Sequence, residues 1–208
     1  YYALGRVSKG LRIYHKALDI AREVSDVRRE GIHLGRIGNV YVSLGQPSEA
    51  IRFDGKSLSI AQDIHDRRWI SHQSLGMAKA FLVAGELLKA KQYCIKAISL
   101  RVTETSCQAL LTLRIVLLHQ IGSVAEVTFA DAISRCLAMI DKTANLYNAR
   151  YTLATALVGQ AVCDPRWADE SQRPDLLAPA LAEYRRALEI TAAPGVVQDA
   201  IRDLELIQ

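Results

Sequence analysis

Aromatic residues are scarce: two tryptophans, eight tyrosines and three phenylalanines make up 6% of 208 residues. A chain this poor in aromatics and rich in Ala and Leu favours helix over strand. Only five prolines and twelve glycines punctuate it, which leaves few stretches of loop. The cysteines, at 94, 107, 136 and 163, are never spaced as CxxC, and they read as small thiols rather than a disulfide framework or a metal site. The longest apolar run, Ala109–Leu118, is broken by Arg114 and is too short to span a bilayer; no signal peptide is visible. No basic block stands out either. The net charge is +4, and the densest basic spots, "DVRRE" and "DRRWI", each open with Asp, a pattern that argues against nucleic acid as a partner. Half the residues are apolar and 23% are charged, which is a globular composition. The first residue is Tyr, so the expectation is a cytoplasmic piece of a longer chain.

Catalytic signatures are missing too. There is no GxxxxGK[ST] phosphate loop, no HExxH and no GxSxG. Histidines stand at 15, 33, 65, 72 and 119, and His65 and His72 straddle an expected turn with no third ligand in view. The acidic residues have basic neighbours on the same helix faces, as in "EYRRALE". The expectation is no enzyme, no cofactor and no metal.

What is present is self-similarity. Residues 1–40 and 41–80 share eleven identical positions, among them Tyr1/Tyr41, Gly5/Gly45, Arg12/Arg52, Ala21/Ala61 and Asp26/Asp66. A third copy continues through Phe81, Gly85, Ala90 and Ala97, and the glycines recur every 40 residues. Each copy reads as two helices. Leu34, Ile37, Gly38, Tyr41 and Leu44 fall at three-and-four spacing, Gly45 ends that helix, and Pro47–Ser48 starts the next. Asp26 and Asp66 are placed to cap first helices. Gly38 and Ala50 are small enough to let the pair approach closely; Ala17, Ser57 and Ala97 form a further small position, expected against the next unit.

These residues resemble the tetratricopeptide repeat, in a 40-residue form similar to that of kinesin light chain and of many bacterial signalling proteins. The second copy carries the pattern as Leu34, Ile37, Gly38, Tyr41, Gly45, Ala50 and Ser57, the third as Met77, Ala78, Phe81, Gly85, Ala90 and Ala97. Ser74 departs from it, where a large apolar residue is usual. Past residue 100 the pattern blurs. A helix, Gly122 and a helix follow, then "NLYNARYTLATALVGQAV", a long connection "CDPRWADESQRPD", a helix at Leu176–Ala192 and a capping helix over 195–208. The expected fold is all-α: about ten helices in one right-handed superhelical solenoid, residues 1–208, of antiparallel pairs.

The resemblance implies a concave face lined by first helices. Inward positions are Gly35, Asn39, Val42 and Ser43 in the second repeat and His72, Leu75, Lys79 and Val83 in the third. In the fourth they are Thr112, Val116 and His119. Asn39 and Lys79 occupy equivalent places, and an Asn there bonds the end of the ligand in clamps for a peptide carboxylate. Gly35 and Leu75 stand where those clamps carry a basic residue, so that clamp is not expected. Trp69, at a repeat turn, and Trp167, in the long connection, are either packed or exposed for interaction. The repeats and the tail "PGVVQDAIRDLELI" are also similar to the C-terminal sensor arrays of bacterial STAND-type NTPases. The expected function is a protein- or peptide-binding scaffold, the sensing part of a larger signalling protein. A stand-alone adaptor and a structural or self-association spacer are the alternatives. The partner is expected to be a protein, a peptide or another domain of its own full-length chain, not nucleic acid or membrane.

Overall fold

A computed structural model describes residues 7–121 and 129–193, together with Val197, Ala200, Ile201, Leu204, Glu205 and Ile207; the side chains of Glu104, Cys107, Gln120 and Ile121 fall outside that description. Among the described residues the chain forms helices without strands. These are α1 (Val7–Glu23), α2 (Val27–Ser43), α3 (Pro47–Asp63), α4 (Arg67–Val83), α5 (Leu87–Ser99), α6 (Thr103–Ile121), α7 (Ala130–Lys142), α8 (Tyr147–Val162) and α9 (Arg173–Ile190). None is long and apolar enough to cross a membrane among the described residues. The chain groups into two compact units, Tyr1–Thr105 and Ser106–Gln208.

In the first unit the helix boundaries follow local chemistry. Asp26 accepts the Arg29 N–H at 2.9 Å and Asp66 the Trp69 N–H at 3.0 Å, satisfying donors that open α2 and α4. Pro47 stands in the first turn of α3. Gly45 and Gly85 take φ of 67° and 75° just past α2 and α4, the left-handed step that closes a helix. The ends of α1, α3 and α5 make the same step without glycine, at Ser25, His65 and Arg101.

The core repeats with the sequence. Leu18, Leu34, Ile37 and Phe53 form one cluster, flanked by Leu11, Tyr14, Tyr41 and Ile60. Tyr41 stacks on Phe53 with ring centres 5.5 Å apart, and 40 residues on Phe81 stacks on Tyr93 at the same 5.5 Å. Small residues mark close approaches. A Cβ on Gly31 would lie 2.3 Å from the Trp69 ring, and one on Gly38 would lie 2.0 Å from an oxygen of Asp54. Gly38 therefore makes room for a carboxylate. The hydroxyl of Ser57, expected against the next unit, is used within its own pair, donating to the Gly31 carbonyl at 2.7 Å. In the next pair the donor changes sides: Ser71 of α4 donates to the Ala97 carbonyl of α5 at 3.0 Å. Ser74, where the repeat pattern asks for bulk, is buried with its hydroxyl unpartnered.

In the second unit α8 lies between α7 and α9. Phe129 is fully buried with its ring over Gly159, where a Cβ would come within 2.5 Å, and its N–H donates to Gln160 Oε1 at 3.0 Å. Arg150 of α8 pairs with Glu183 of α9 at 2.8 Å, and Tyr151 donates to the Thr191 carbonyl at 2.9 Å. The long connection is not irregular. It forms two 3-10 turns, Pro165–Ala168 and Glu170–Gln172, opened by Asp164 and Asp169, and α9 begins at Arg173 rather than at Leu176. Gly122 and most of the expected 195–208 helix lie outside the described residues; Val197, Ala200 and Ile201 within it are helical.

Candidate functional site

Helices α2 and α4 of the first unit bound a pocket of about 370 Å³. Along α2, Arg28, Ile32, Gly35, Arg36 and Asn39 recur at steps of three and four, which is one helical face. Along α4, Arg68, Trp69, His72 and Gln73 supply the opposite wall, and Asp66 and Thr105 complete the lining.

Asn39 and His72 thus share one pocket. Gly35 stands on its wall with the buried Gln73 amide laid over it; a Cβ at 35 would be 2.5 Å from Gln73 Nε2. The space left at Gly35 is taken by an amide from the neighbouring first helix. His72 is exposed at its own surface, yet surrounding protein desolvates the imidazole and, with the charges of Lys79 and Arg36, holds its pKa below the ordinary value. Asp66 uses both oxygens, one on the Trp69 N–H and one on Arg28 at 2.8 Å. The cap bond to Trp69 is the largest cause of its lowered pKa, with Arg28 adding to it.

The other expected positions distribute differently. Ser43, Lys79 and Val83 are half-buried; Val83 packs against Val42, Ala50 and Ala80, so Val42 belongs to the core. Leu75, Thr112 and Val116 are buried and present no surface to a partner, which corrects their placement on the groove. The Thr112 hydroxyl instead donates to the Gln108 carbonyl at 2.8 Å. His119 is exposed on α6. Trp69 is only 9% exposed, its ring packed over Gly31. Trp167 is half-buried beneath the Arg173 guanidinium, 5.2 Å from its ring, while Arg173 Nε donates to the Trp167 carbonyl at 2.9 Å.

Sequence reasoning missed Arg36, Gln73 and Asp54. The first lay in plain view, since Arg36 is one turn before Asn39 on the same helical face. Gln73 was legible only through its contact with Gly35. Asp54 is wholly buried, with neither carboxylate oxygen hydrogen-bonded, and burial pushes its pKa well above the usual carboxylate range. Cys94 occupies the equivalent place 40 residues on, fully buried, its thiol pushed up to about 12 by burial. No group of His, Cys, Asp or Glu able to hold a metal is found among the described residues.

Residues 1–63 match the family model of the tetratricopeptide repeat. Repeats of this family are protein-interaction modules. No curated protein matches the chain. Among solved structures, the crystal structure of MamA protein is similar, at 18% identity over 88% of this chain and 92% of that one, with a TM-score of 0.41.

Proposed function

We propose that the first unit binds a peptide or an extended protein segment along the face shared by α2 and α4, and that it is the sensing part of a larger signalling protein. The observation that carries the binding reading is the pocket itself. It places an Asn amide, a Gln amide and an imidazole on facing walls of two consecutive first helices. An amide side chain both donates and accepts, so Asn39 can satisfy an N–H and a C=O of an extended chain. Lys79 and Ser43 continue the same face away from the pocket, and the exposed His119 of α6 is a separate candidate contact. The sensor role rests on the resemblance of the 40-residue repeats to the arrays of STAND-type regulators, in which the array restrains a nucleotide-binding domain. Such control requires the partner to bind two states of the whole protein unequally.

The test is a pull-down from the source cells with the wild-type chain beside an Asn39→Ala/His72→Ala double variant, both checked by circular dichroism. A partner held by the wild type and released by the folded double variant supports the pocket. A partner held equally by both places the contact elsewhere, with His119 and the Trp167 connection next to be changed. The sensor role is tested on the full-length protein, by asking whether the captured partner changes its nucleotide hydrolysis.

A further inference from the structure

Charge around the α2–α4 pocket is one-sided. Among the described residues Arg28, Arg36 and Arg68 line it, against a single carboxylate, Asp66. That carboxylate is already committed to the α4 cap and to Arg28. Arg36 makes no ion pair among the described residues; its guanidinium lies 5.9 Å from the centre of the Tyr14 ring. The imidazole of His72 feels positive charge from both Lys79 and Arg36. A cleft lined by one sign of charge concentrates the opposite sign.

We propose that this pocket selects an acidic peptide segment, with a Glu or Asp side chain of the partner set against Arg36 beside His72 and its main chain on Asn39. The proposal rests on the peptide-binding reading above and adds the chemistry of the ligand. Arg suits the role, because its planar fork meets a carboxylate with two parallel N–H donors. Two features favour a peptide over a nucleic acid. The amide of the half-buried Asn39 stands beside the cations and offers main-chain bonds, with the Gln73 amide buried behind it. The large aromatic ring on the wall, Trp69, is buried against Gly31 and offers no open face for a base to stack on.

The experiment uses the 208-residue chain and fluorescence anisotropy. The probes are short end-blocked peptides alternating glutamate with serine, lysine with serine, and glutamine with serine, and a single-stranded oligothymidylate. The glutamate peptide is expected to bind about tenfold or more tighter than the glutamine peptide at low salt and to weaken as salt rises. Arg36→Glu should abolish that preference and Arg36→Gln should reduce it, both with an unchanged melting temperature. Equal or tighter binding of the glutamine or lysine peptide, still lost in Asn39→Ala/His72→Ala, overturns the acidic preference and leaves the groove as a peptide site. Glutamate-peptide binding indifferent to Arg36→Glu, or tighter binding of the oligothymidylate, overturns the proposal outright. If no peptide binds, both readings fall.

Discussion

Asp54 is the least comfortable residue in the first unit. Its carboxyl is walled in by two glycines: Gly38 of α2, and Gly76 of α4, where a Cβ would lie 3.0 Å from Oδ2. An unpaired buried polar group costs about 1–3 kcal/mol. The folded chain holds the proton on Asp54, whereas the unfolded chain releases it near the ordinary value of 3.8. Stability from this group is therefore full below that value and falls as pH rises toward the folded pKa. Asp54→Cys copies the residue at the equivalent place, Cys94. It should raise stability by about 1 kcal/mol or more at neutral pH and flatten the decline of the melting temperature between acid and neutral pH. A variant whose curve runs parallel to the wild type would acquit the carboxyl. The glycines of α2 and α3 allow a second comparison. Gly31→Ala drives a methyl into the Trp69 ring, while a Cβ at Gly55 meets nothing within 4 Å. Replacing a helical glycine by alanine gains about 1 kcal/mol in propensity. Urea unfolding should show Gly55→Ala stabilised by about that amount. Gly31→Ala should come out net destabilised by about 1–2 kcal/mol, since overpacking a rigid ring outweighs the gain.

At the scale of the helix, ends are made in two ways. First helices close on glycine at 45 and 85; second helices close on Ser25, His65 and Arg101 with φ between 53° and 55°. A side chain in that region costs about 1–2 kcal/mol relative to glycine, offset in part by glycine's greater freedom when unfolded. His65→Gly should therefore raise the melting midpoint in urea by an amount equivalent to about 0.5–1 kcal/mol. No change, or a loss, would mean that the exposed imidazole makes a compensating contact. Both kinds of end bear on what the sequence reveals. The glycine ends, the Asp26 and Asp66 caps and Pro47 are written in local chemistry, and the helices they bound match the expectation closely. Leu75 and Val116 were misjudged because helical spacing specifies a face but not which neighbour covers it. The sequence marks the connection after Cys163 only as long, yet Asp164 and Asp169 each bond an N–H two residues on and fold it into turns.

At the scale of the whole molecule, each unit has a helix held from both sides. In the first, α2 lies against α1 and α3 and also meets α4; in the second, α8 lies between α7 and α9. Stacked repeats derive stability from nearest-neighbour interfaces. Native-state hydrogen exchange should accordingly show two slow centres, one over α2–α4 and one over α8, with α1 faster by about tenfold or more. Uniform protection from α1 to α4 would contradict that account. The aromatic pairs and the 40-residue period made the first unit readable. The second unit hid its organisation in pairs far apart in sequence, Arg150 with Glu183 and Thr155 with Tyr184, which no period announces.

The serine that changes sides between pairs has a consequence for how such a chain can be recombined. Gly31 with Ser57 and Ser71 with Ala97 each place one hydroxyl at the same joint, once from the second helix and once from the first. Splicing α2 onto α5 would bring Gly31 against Ala97 and leave the joint with no hydroxyl. Splicing α4 onto α3 would crowd Ser71 against Ser57. A crossover between pairs preserves this bond within each pair, and one inside a pair spoils it. The exchangeable piece at this joint is therefore the matched pair of helices rather than the single helix.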